Sequence, residues 1–451
     1  MPGIFIFLMG MGWRTGAQDL YLGTKTPYVP PHVPYTPAPA GYRPVFVNYV
    51  GRHGARFLTK GGTDTHVLEI LDAAARSHSL TDTGERVRVM VERLVGLEKG
   101  KYERISLLGA EEQRAIGERV LYNYKDAFTG RGLDVQVTYK VRTQQSADAF
   151  LHSYGGWYTG ARRWMRTADS LDAILRFYDL SPGYQRYKKG VVLKRAMDSL
   201  VRDGRTRAAA EEVGSRIFRA SFRAGWKEGE EVAFADELYD LYSVQFSLSG
   251  EMAERGYTKD SIDLGLAFSR KALAWEDFRS GAQDFLEKGP AADPLGIQVK
   301  VAAPLLADLV RVMDRAVGGG GPDAVLRFTH AEAIAPFAAL LGIPSASVGC
   351  GSVYQYADHW QAAEVIPLSA NIQWILYGNG KDWLVKVLLN EREVRLPLGE
   401  TAGRVPAESK GAGVTGPYYK WEELRAYCMG RLQKVNAGLQ EDMLGYLRGL
   451  R

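Results

Sequence analysis

Strand-forming patterns give way to helical patterns between about residues 155 and 290 of this chain. Runs such as 162–178 and 233–248 are rich in charged and aromatic residues and have the apolar spacing of helices. Strand and helix patterns alternate on either side of this block, in a chain of 451 residues that is long enough for two packed units. The pattern predicts an α/β unit over 43–154 and 291–451, with an inserted helical cap at 155–290.

Three predicted strands of the α/β unit are each followed by polar side chains. The apolar run 44–50 predicts a buried strand, 135–141 alternates with period two, and 324–329 predicts a third strand. The polar groups that follow them are Arg52, His53 and Arg56, then Arg142, then His330 and Glu332. Ligands of α/β sheets bind beyond the carboxyl ends of strands, beside the starts of helices such as those predicted at 145–151 and 333–341. The common position predicts one shared site.

The run Arg52-His53-Gly54-Ala55-Arg56 places an imidazole between two guanidinium groups. Arginine forks match the oxygens of a phosphoryl group, and an imidazole beside that group can attack phosphorus to form phosphohistidine. We expect Gly54 to allow a tight turn of the loop. The structural alternative is a histidine packed near a surface ion-pair cluster. Two arginines and a glycine directly after a buried strand favour the catalytic interpretation.

Arg142 and the segment Thr329-His330-Ala331-Glu332 each have a structural alternative. At a strand end that opens a helix, Arg142 offers an anion both its side chain and helix-end amides, although it could also be a surface arginine. A carboxylic acid at Glu332 could protonate a leaving alcohol, and His330 could donate a hydrogen bond to a phosphoryl oxygen. The spacing Thr329-x-x-Glu332 also matches a capping box, which spacing alone favours.

Taken together, these segments resemble the histidine phosphatase superfamily, in its acid phosphatase and phytase branch. Residues 52–56 resemble its Arg-His-Gly-x-Arg signature, and 142–150 resemble its Arg-Thr-x-x-Ser-Ala-x-Ala-Phe segment. The likeness extends over about 43–400 and implies a central mixed sheet flanked by helices, with an inserted α-helical cap. It implies that His53 is the nucleophile, and that phosphate is bound by Arg52, Arg56, Arg142 and His330.

The order His330-Ala331-Glu332 resembles the multiple inositol polyphosphate phosphatase branch, in which the glutamate is the proton donor. Segments 366–371 and 388–391 also resemble that branch, and Thr59 and Lys60 match residues that contact phosphates of inositol hexakisphosphate. The resemblance implies removal of phosphates from inositol polyphosphates through phosphohistidine, with no metal and no cofactor. The alternatives are a broad-specificity acid phosphatase acting on sugar phosphates and a non-catalytic binder of phosphorylated ligands.

The N-terminal residues predict export. The apolar run 4–11 ends near the small residues Thr15-Gly16-Ala17, as in a signal peptide over 1–17, although no basic residue precedes the run. The alternative is an apolar N-terminal arm. The run is too short to span a membrane, so we expect no spanning helix. The predicted signal peptide implies a periplasmic or secreted protein. Prolines over 18–42 predict an extended arm.

Charge and cysteine content limit the possible partners. A net charge of +5 fits a small polyanionic substrate, and no Lys/Arg block with interleaved aromatic residues suggests nucleic acid. The chain has two cysteines, Cys350 and Cys428, without the C-x-x-C spacing of a zinc or redox site. They could form one disulfide in an oxidising compartment.

Overall fold

The computed structural model describes residues 20–155, 163–167, 172–398, 417–440 and 442–451. The predicted signal peptide lies outside these ranges. Within residues 20–42 a 3-10 turn spans Gly23–Lys25, and the extended arm over 18–42 stays a prediction.

The described residues form one mixed sheet of eight strands. The strands are β1 (Arg43–Arg52), β2 (Leu133–Val137), β3 (Arg163–Thr167), β4 (Ala324–Thr329), β5 (Asn371–Gly378), β6 (Trp383–Leu389), β7 (Arg392–Glu393) and β8 (Tyr418–Lys420). They lie in the order β3-β2-β4-β1-β5-β6-β7, with β8 beside β6. Pairing is parallel among β3, β2, β4 and β1, and antiparallel from β5 onward.

Helices cover both faces of this sheet, which confirms the predicted α/β fold with a central mixed sheet. From the N-terminus they are α1 (Thr63–Arg76), α2 (Asp82–Glu98), α3 (Leu107–Asn123), α4 (Val141–Phe150), α5 (Phe177–Leu180), α6 (Pro182–Lys188), α7 (Val191–Val201), α8 (Gly204–Ile217), α9 (Ala220–Arg223) and α10 (Glu230–Gln245). They continue with α11 (Ser249–Glu254), α12 (Arg270–Glu287), α13 (Ile297–Lys300), α14 (Ala303–Val317), α15 (Ala331–Leu341), α16 (Pro344–Ser347), α17 (Ala362–Val365), α18 (Trp421–Lys434) and α19 (Met443–Gly449).

The two faces of the sheet contribute to two hydrophobic clusters. Along β1, Phe46 and Val50 belong to a cluster shared with the helices of the 177–317 region, whereas Val47 and Tyr49 belong to one shared with α3 and α4. This alternation follows from the period of two in a strand. Because both faces are covered, β1, β4, β5 and β6 are buried along nearly their whole length, whereas β2 alternates between buried and half-buried residues.

Residues 163–167 correct the sequence interpretation. They lie in a run predicted to be helical, yet they form β3, which pairs in parallel with β2 at the edge of the sheet. An edge strand is held by backbone pairing on one side, so it needs no alternation of apolar residues. The prediction that strands are absent from 155–290 is therefore wrong for this segment. The division into core and cap stays a prediction.

Further predictions concern the second strand and the cysteines. β2 ends at Val137 rather than at residue 141, because α4 already begins at Val141, where the amide of Thr143 donates to Lys140 O. Arg142 therefore lies in the first turn of α4 and not at a strand end. Cys350 and Cys428 are both free, so no disulfide joins them. Among the helices described, none is long and apolar enough to cross a membrane.

Candidate active site

The carboxyl ends of three adjacent parallel strands meet at one edge of the sheet. Arg52 in β1 lies opposite Thr329 in β4, and Phe328 of β4 lies opposite Val137 in β2. The amide of His53 donates to Thr329 O at 3.0 Å, and the rings of His53 and His330 have centroids 5.5 Å apart. The polar groups that follow β1 and β4 are thus neighbours, because these two strands are adjacent in the sheet.

His53 has a defined tautomer. Its Nδ1 lies 3.0 Å from the carbonyl oxygen of Gly54. A carbonyl can only accept a hydrogen bond, so Nδ1 carries the proton and Nε2 keeps its lone pair. Burial, followed by the positive charges of Arg52 and Arg142, lowers the pKa of His53 well below its usual value of 6.5. The imidazole is therefore neutral and able to act as a nucleophile at neutral pH.

The guanidinium groups beside His53 are only partly satisfied. Arg52 Nη1 donates to Thr24 O at 2.7 Å and to Ile366 O at 2.6 Å, and Arg56 Nη1 donates to Phe57 O at 2.8 Å. The Nε atoms of Arg52, Arg56 and Arg142 are buried and find no hydrogen-bond partner among the described residues. Burial lowers the pKa values of Arg52 and Arg56 to about 10, so both remain cationic at neutral pH.

Arg142 reaches the site from the first turn of α4. Its Nη1 lies 3.7 Å from Glu103 Oε1, which also lies 3.3 Å from Lys140 Nζ. Glu103 is itself in the left-handed region, with a φ of 66°. Glu103 therefore places a negative charge beside two cations at the edge of the site.

Gly54 allows a close approach between two backbone segments. A Cβ at Gly54 would lie 2.5 Å from Gly109 O, and a Cβ at Gly109 would lie 2.0 Å from Ala55 O. Gly54 does not have a positive φ. The glycine is therefore not needed for a left-handed backbone conformation, but it is needed where α3 begins against the loop 53–56.

The buried carboxylate of Glu112 holds the loop 53–56 by hydrogen bonds. Glu112 accepts from the amide of Ala55 at 2.9 Å, from the amide of Tyr28 at 2.8 Å and from Ser369 Oγ at 2.7 Å. The amide of Ser369 donates to His53 O at 3.1 Å, and the amide of Gly54 donates to Ser146 Oγ at 3.0 Å. Residues 366–371 and 142–150, which the resemblance singled out, thus hold the loop in place.

Glu332 does not cap its helix in the way the sequence spacing suggested. Thr329 is the last residue of β4, and its Oγ1 donates to Leu175 O at 2.6 Å. His330 is the N-cap of α15, without any side-chain capping bond, and Glu332 lies in the first turn. The capping-box interpretation is therefore wrong, because the sheet extends to the threonine that would have been the cap.

The charge of Glu332 is set by its surroundings. Burial raises its pKa, but the cations Lys288 and Arg52 together with His330 outweigh burial and lower it to about 2. Glu332 is therefore ionised in the ligand-free site. Lys288 directly follows α12 and forms an ion pair with Asp284. Burial lowers the pKa of Lys288, but the carboxylates of Asp284 and Glu332 outweigh burial and raise it.

Two residues near the site were missed in the sequence because neither belongs to a motif. Lys288 and Arg176 both come from the predicted cap, and Arg176 Nη1 lies 3.2 Å from Nε2 of His330. Thr59 and Lys60 are exposed just after the loop 53–56, and their contact with substrate stays a prediction. Within the described ranges, no group of three or more His, Cys, Asp or Glu side chains could hold a metal ion.

Comparison with solved structures identifies the fold. The multiple inositol polyphosphate phosphatase of Bifidobacterium longum, in complex with inositol hexasulfate, is 23% identical with a TM-score of 0.75, over 90% of this chain and 96% of that one. Its apo form is 22% identical with a TM-score of 0.76, over the same shares of the two chains. The phytase from D. castellii is 13% identical with a TM-score of 0.70, over 96% of this chain and 88% of that one.

No protein-family model and no curated protein sequence matches the chain. At these identities the likeness to solved structures is one of fold. The chain has the fold of a multiple inositol polyphosphate phosphatase and of a phytase, as its sequence motifs predicted.

Proposed function

We propose that this protein is a phosphomonoester hydrolase that removes phosphates from inositol polyphosphates through a phosphohistidine at His53. One observation carries the proposal. Buried guanidinium nitrogens of Arg52, Arg56 and Arg142, unpartnered within the described structure, surround an imidazole whose Nε2 is free to attack. Unpaired buried donors are costly, and a phosphoryl group would satisfy several of them at once.

In the first step, His53 Nε2 attacks phosphorus, the N–P bond forms and the ester P–O bond breaks. The arginines stabilise the charge on the phosphoryl oxygens, and Nδ1–H stays bound to Gly54 O as positive charge develops on the ring. Glu332 protonates the departing inositol oxygen. In the second step, water attacks phosphorus, Glu332 accepts its proton, and the N–P bond breaks to release phosphate.

The low pKa of Glu332 requires a source for that proton. Glu332 is ionised above about pH 2 in the ligand-free site. A phosphomonoester keeps its last proton up to about pH 6, so a monoanionic phosphate brings a proton with it. Its charge also offsets the cations that depress the pKa of Glu332. Glu332 then relays the proton from the phosphate to the leaving oxygen.

The substrate class is inferred from charge and from the structural relatives. Lys140 shares Glu103 with Arg142, and the exposed Lys60 follows Arg56 by four residues in the sequence. Positive charge at such positions favours a substrate carrying several phosphates. The relatives of this fold include a phosphatase crystallised with inositol hexasulfate and a phytase. We propose inositol polyphosphates as substrates on this basis, and export to the periplasm or the medium on the basis of residues 1–17.

Trapping the intermediate tests the nucleophile. Alkaline quench during turnover of a radiolabelled phosphate ester should leave label on His53, and acid quench should remove it because phosphohistidine is acid-labile. His53→Ala should leave no label, while the exposed His78→Ala should label as the wild type does. Label on another residue would exclude His53 as the nucleophile.

Leaving-group dependence tests Glu332. Glu332→Gln should reduce hydrolysis of an alkyl phosphate by about 10²–10⁴. Hydrolysis of p-nitrophenyl phosphate should fall much less, because p-nitrophenolate leaves without needing a proton. Equal losses on both esters would refute the role of proton donor.

Kinetics on two natural classes of ester test the substrate. The ratio of kcat/KM for inositol hexakisphosphate to that for glucose 1-phosphate should be well above one. A ratio below one would favour the broad-specificity acid phosphatase. Absence of phosphate release from both would favour a non-catalytic binder.

A further inference from the structure

Arg176 contacts His330, whose ring lies beside that of His53. It lies just before α5 and is buried, and its Nη1 is 3.2 Å from His330 Nε2. The guanidinium carbon lies 4.7 Å from the ring centroid of Tyr139 and 5.3 Å from that of Tyr178. Arg176 Nε also donates to Asp179 Oδ2 at 2.7 Å. Two rings and one carboxylate therefore fix the direction of this guanidinium.

An arginine can only donate hydrogen bonds, so the contact decides which nitrogen of His330 is protonated. Because Nη1 donates, Nε2 must accept and cannot carry a proton in the neutral ring. The proton is then on Nδ1, which is buried and unpartnered within the described structure. Burial and the charge of Arg142 lower the pKa of His330 well below 6.5, in agreement with a neutral ring.

The second neighbour of Nε2 does not impose a tautomer. Thr138 Oγ1 lies 3.1 Å from Nε2 and 2.8 Å from Thr143 Oγ1. When Nε2 accepts, the Thr143 hydroxyl donates to Thr138 and Thr138 donates to Nε2. When Nε2 carries the proton, it donates to Thr138, Thr138 donates to Thr143, and the Thr143 hydroxyl turns to Lys140 O. Thr138 therefore satisfies Nε2 in both protonation states. Of the two partners of Nε2, Arg176 is therefore the one that favours a single tautomer of His330.

We propose that Arg176 is a positioning residue that holds His330 in the tautomer with the proton on Nδ1, so that this N–H is available to a phosphoryl oxygen. The role in turnover rests on the function proposed above, whereas the tautomer is a property of the free protein. In the other tautomer, a lone pair at Nδ1 would face an anionic oxygen and repel it. The predicted hydrogen bond of His330 to phosphate therefore depends on Arg176.

The first test is made on the ligand-free protein. Histidine side chains labelled with ¹⁵N report directly whether each ring nitrogen carries a proton. The chain has seven histidines, and a spectrum of His330→Gln identifies the signals of His330 by their disappearance. In the wild type we expect Nε2 of His330 to be unprotonated and Nδ1 to be protonated. The opposite pattern would overturn the proposal without any activity measurement.

Three variants separate the charge, the donor and the hydroxyl. Arg176→Met removes the obligate donor and should shift the proton at least partly to Nε2, because Thr138 can accept it. Arg176→Lys keeps an obligate donor and should restore the wild-type tautomer. Thr138→Val is the matched control, which removes the other partner of Nε2 and should leave the tautomer unchanged. An unchanged tautomer in Arg176→Met would overturn the proposal.

The pH dependence of turnover gives a second readout. At neutral pH, Arg176→Met should reduce kcat on p-nitrophenyl phosphate by about 10², the cost of one donor to a developing oxyanion. At lower pH the imidazolium of His330 carries both protons, so Nδ1–H returns and the loss should shrink. The charged groups that surround this ring are Arg52, Arg142, Arg176 and Glu332, with His53 and Tyr178 beside it.

A loss that stays the same at every pH would indicate a merely structural role and overturn the positioning role. Arg176→Lys should recover most of kcat, which provides a folded control if Arg176→Met is unstable. If the wild type releases no phosphate while the tautomer still depends on residue 176, the proposed function fails and the tautomer assignment stands.

Discussion

A methyl group at residue 109 should displace the loop 53–56, which carries the proposed nucleophile. In Gly109→Ala the new Cβ would lie 2.0 Å from Ala55 O and 2.7 Å from Ala55 N. Real Cβ contacts are essentially never shorter than 3.0 Å, so the start of α3 and the loop must separate by about 1 Å. Both contacts are backbone atoms, so no side-chain rotation can relieve them.

The expected consequences can be given for stability and for rate. Overpacking of this kind costs about 1–3 kcal/mol. Ala55 lies between His53 and Arg56, and its amide donates to Glu112. A shift of about 1 Å at reacting groups can reduce the rate by about 10². We therefore expect Gly109→Ala to fold, with reduced stability, and to lose about two orders of magnitude in kcat on p-nitrophenyl phosphate.

The control is Gly96→Ala in α2, where the added Cβ meets no described atom within 4 Å. It should leave kcat unchanged and raise stability by up to about 1 kcal/mol, the difference in helix propensity. Urea unfolding and circular dichroism would establish the folded fraction of both variants. A Gly109→Ala protein with kcat within about twofold of the wild type would refute the dependence of the site on this contact.

Four further outcomes follow from the charges. kcat/KM should fall as pH rises through about 6, because the substrate then loses the proton that Glu332 must receive. His53 does not cause this fall, because its pKa is lowered well below 6.5 and its ring is already neutral there. A flat profile up to alkaline pH would contradict this prediction. Lys288→Met should raise the pKa of Glu332, as measured by carboxyl NMR, and should leave the descending limb near pH 6, because the substrate sets that limb. Glu103→Gln should lower KM for inositol hexakisphosphate by about two- to fivefold, since the two cations it pairs with are released. Burial raises the pKa of Glu98 to about 8, so the folded state binds more protons than the unfolded state between about pH 4.5 and 8. The free energy of unfolding of the wild type should therefore fall across this window, by up to about 5 kcal/mol relative to Glu98→Gln. Urea unfolding of both proteins at several pH values measures this difference.

Elements with a strong local pattern were predictable from the sequence. The strand at 324–329 has the predicted bounds, because its apolar run directly follows Pro322-Asp323. β3 was missed because its pairing with β2 defines it, and pairing is not encoded in the five residues themselves. The end of β2 was also misplaced, because α4 already begins at Val141, where the amide of Thr143 donates to Lys140 O.

Some residues of the candidate site were also predictable from the sequence, and others were not. His53 and its flanking arginines are contiguous, so their chemistry is readable from five residues. Arg176 carries no sequence signal, because its importance comes from Nε2 of a histidine at position 330. The reason for Gly54 also required the structure, since the backbone it approaches belongs to Gly109.

The order of the strands has a consequence for synthesis of the chain. β1 ends at residue 52, but its two neighbours in the sheet begin at residues 324 and 371. At about 5–20 residues per second, translation leaves β1 without these partners for a time on the order of tens of seconds. During that interval a strand that is apolar on both faces has open edges, which are sites of aggregation. A chaperone that binds extended apolar segments would therefore protect the strand that delivers His53, and nascent chains that end before residue 330 should be the most prone to aggregate.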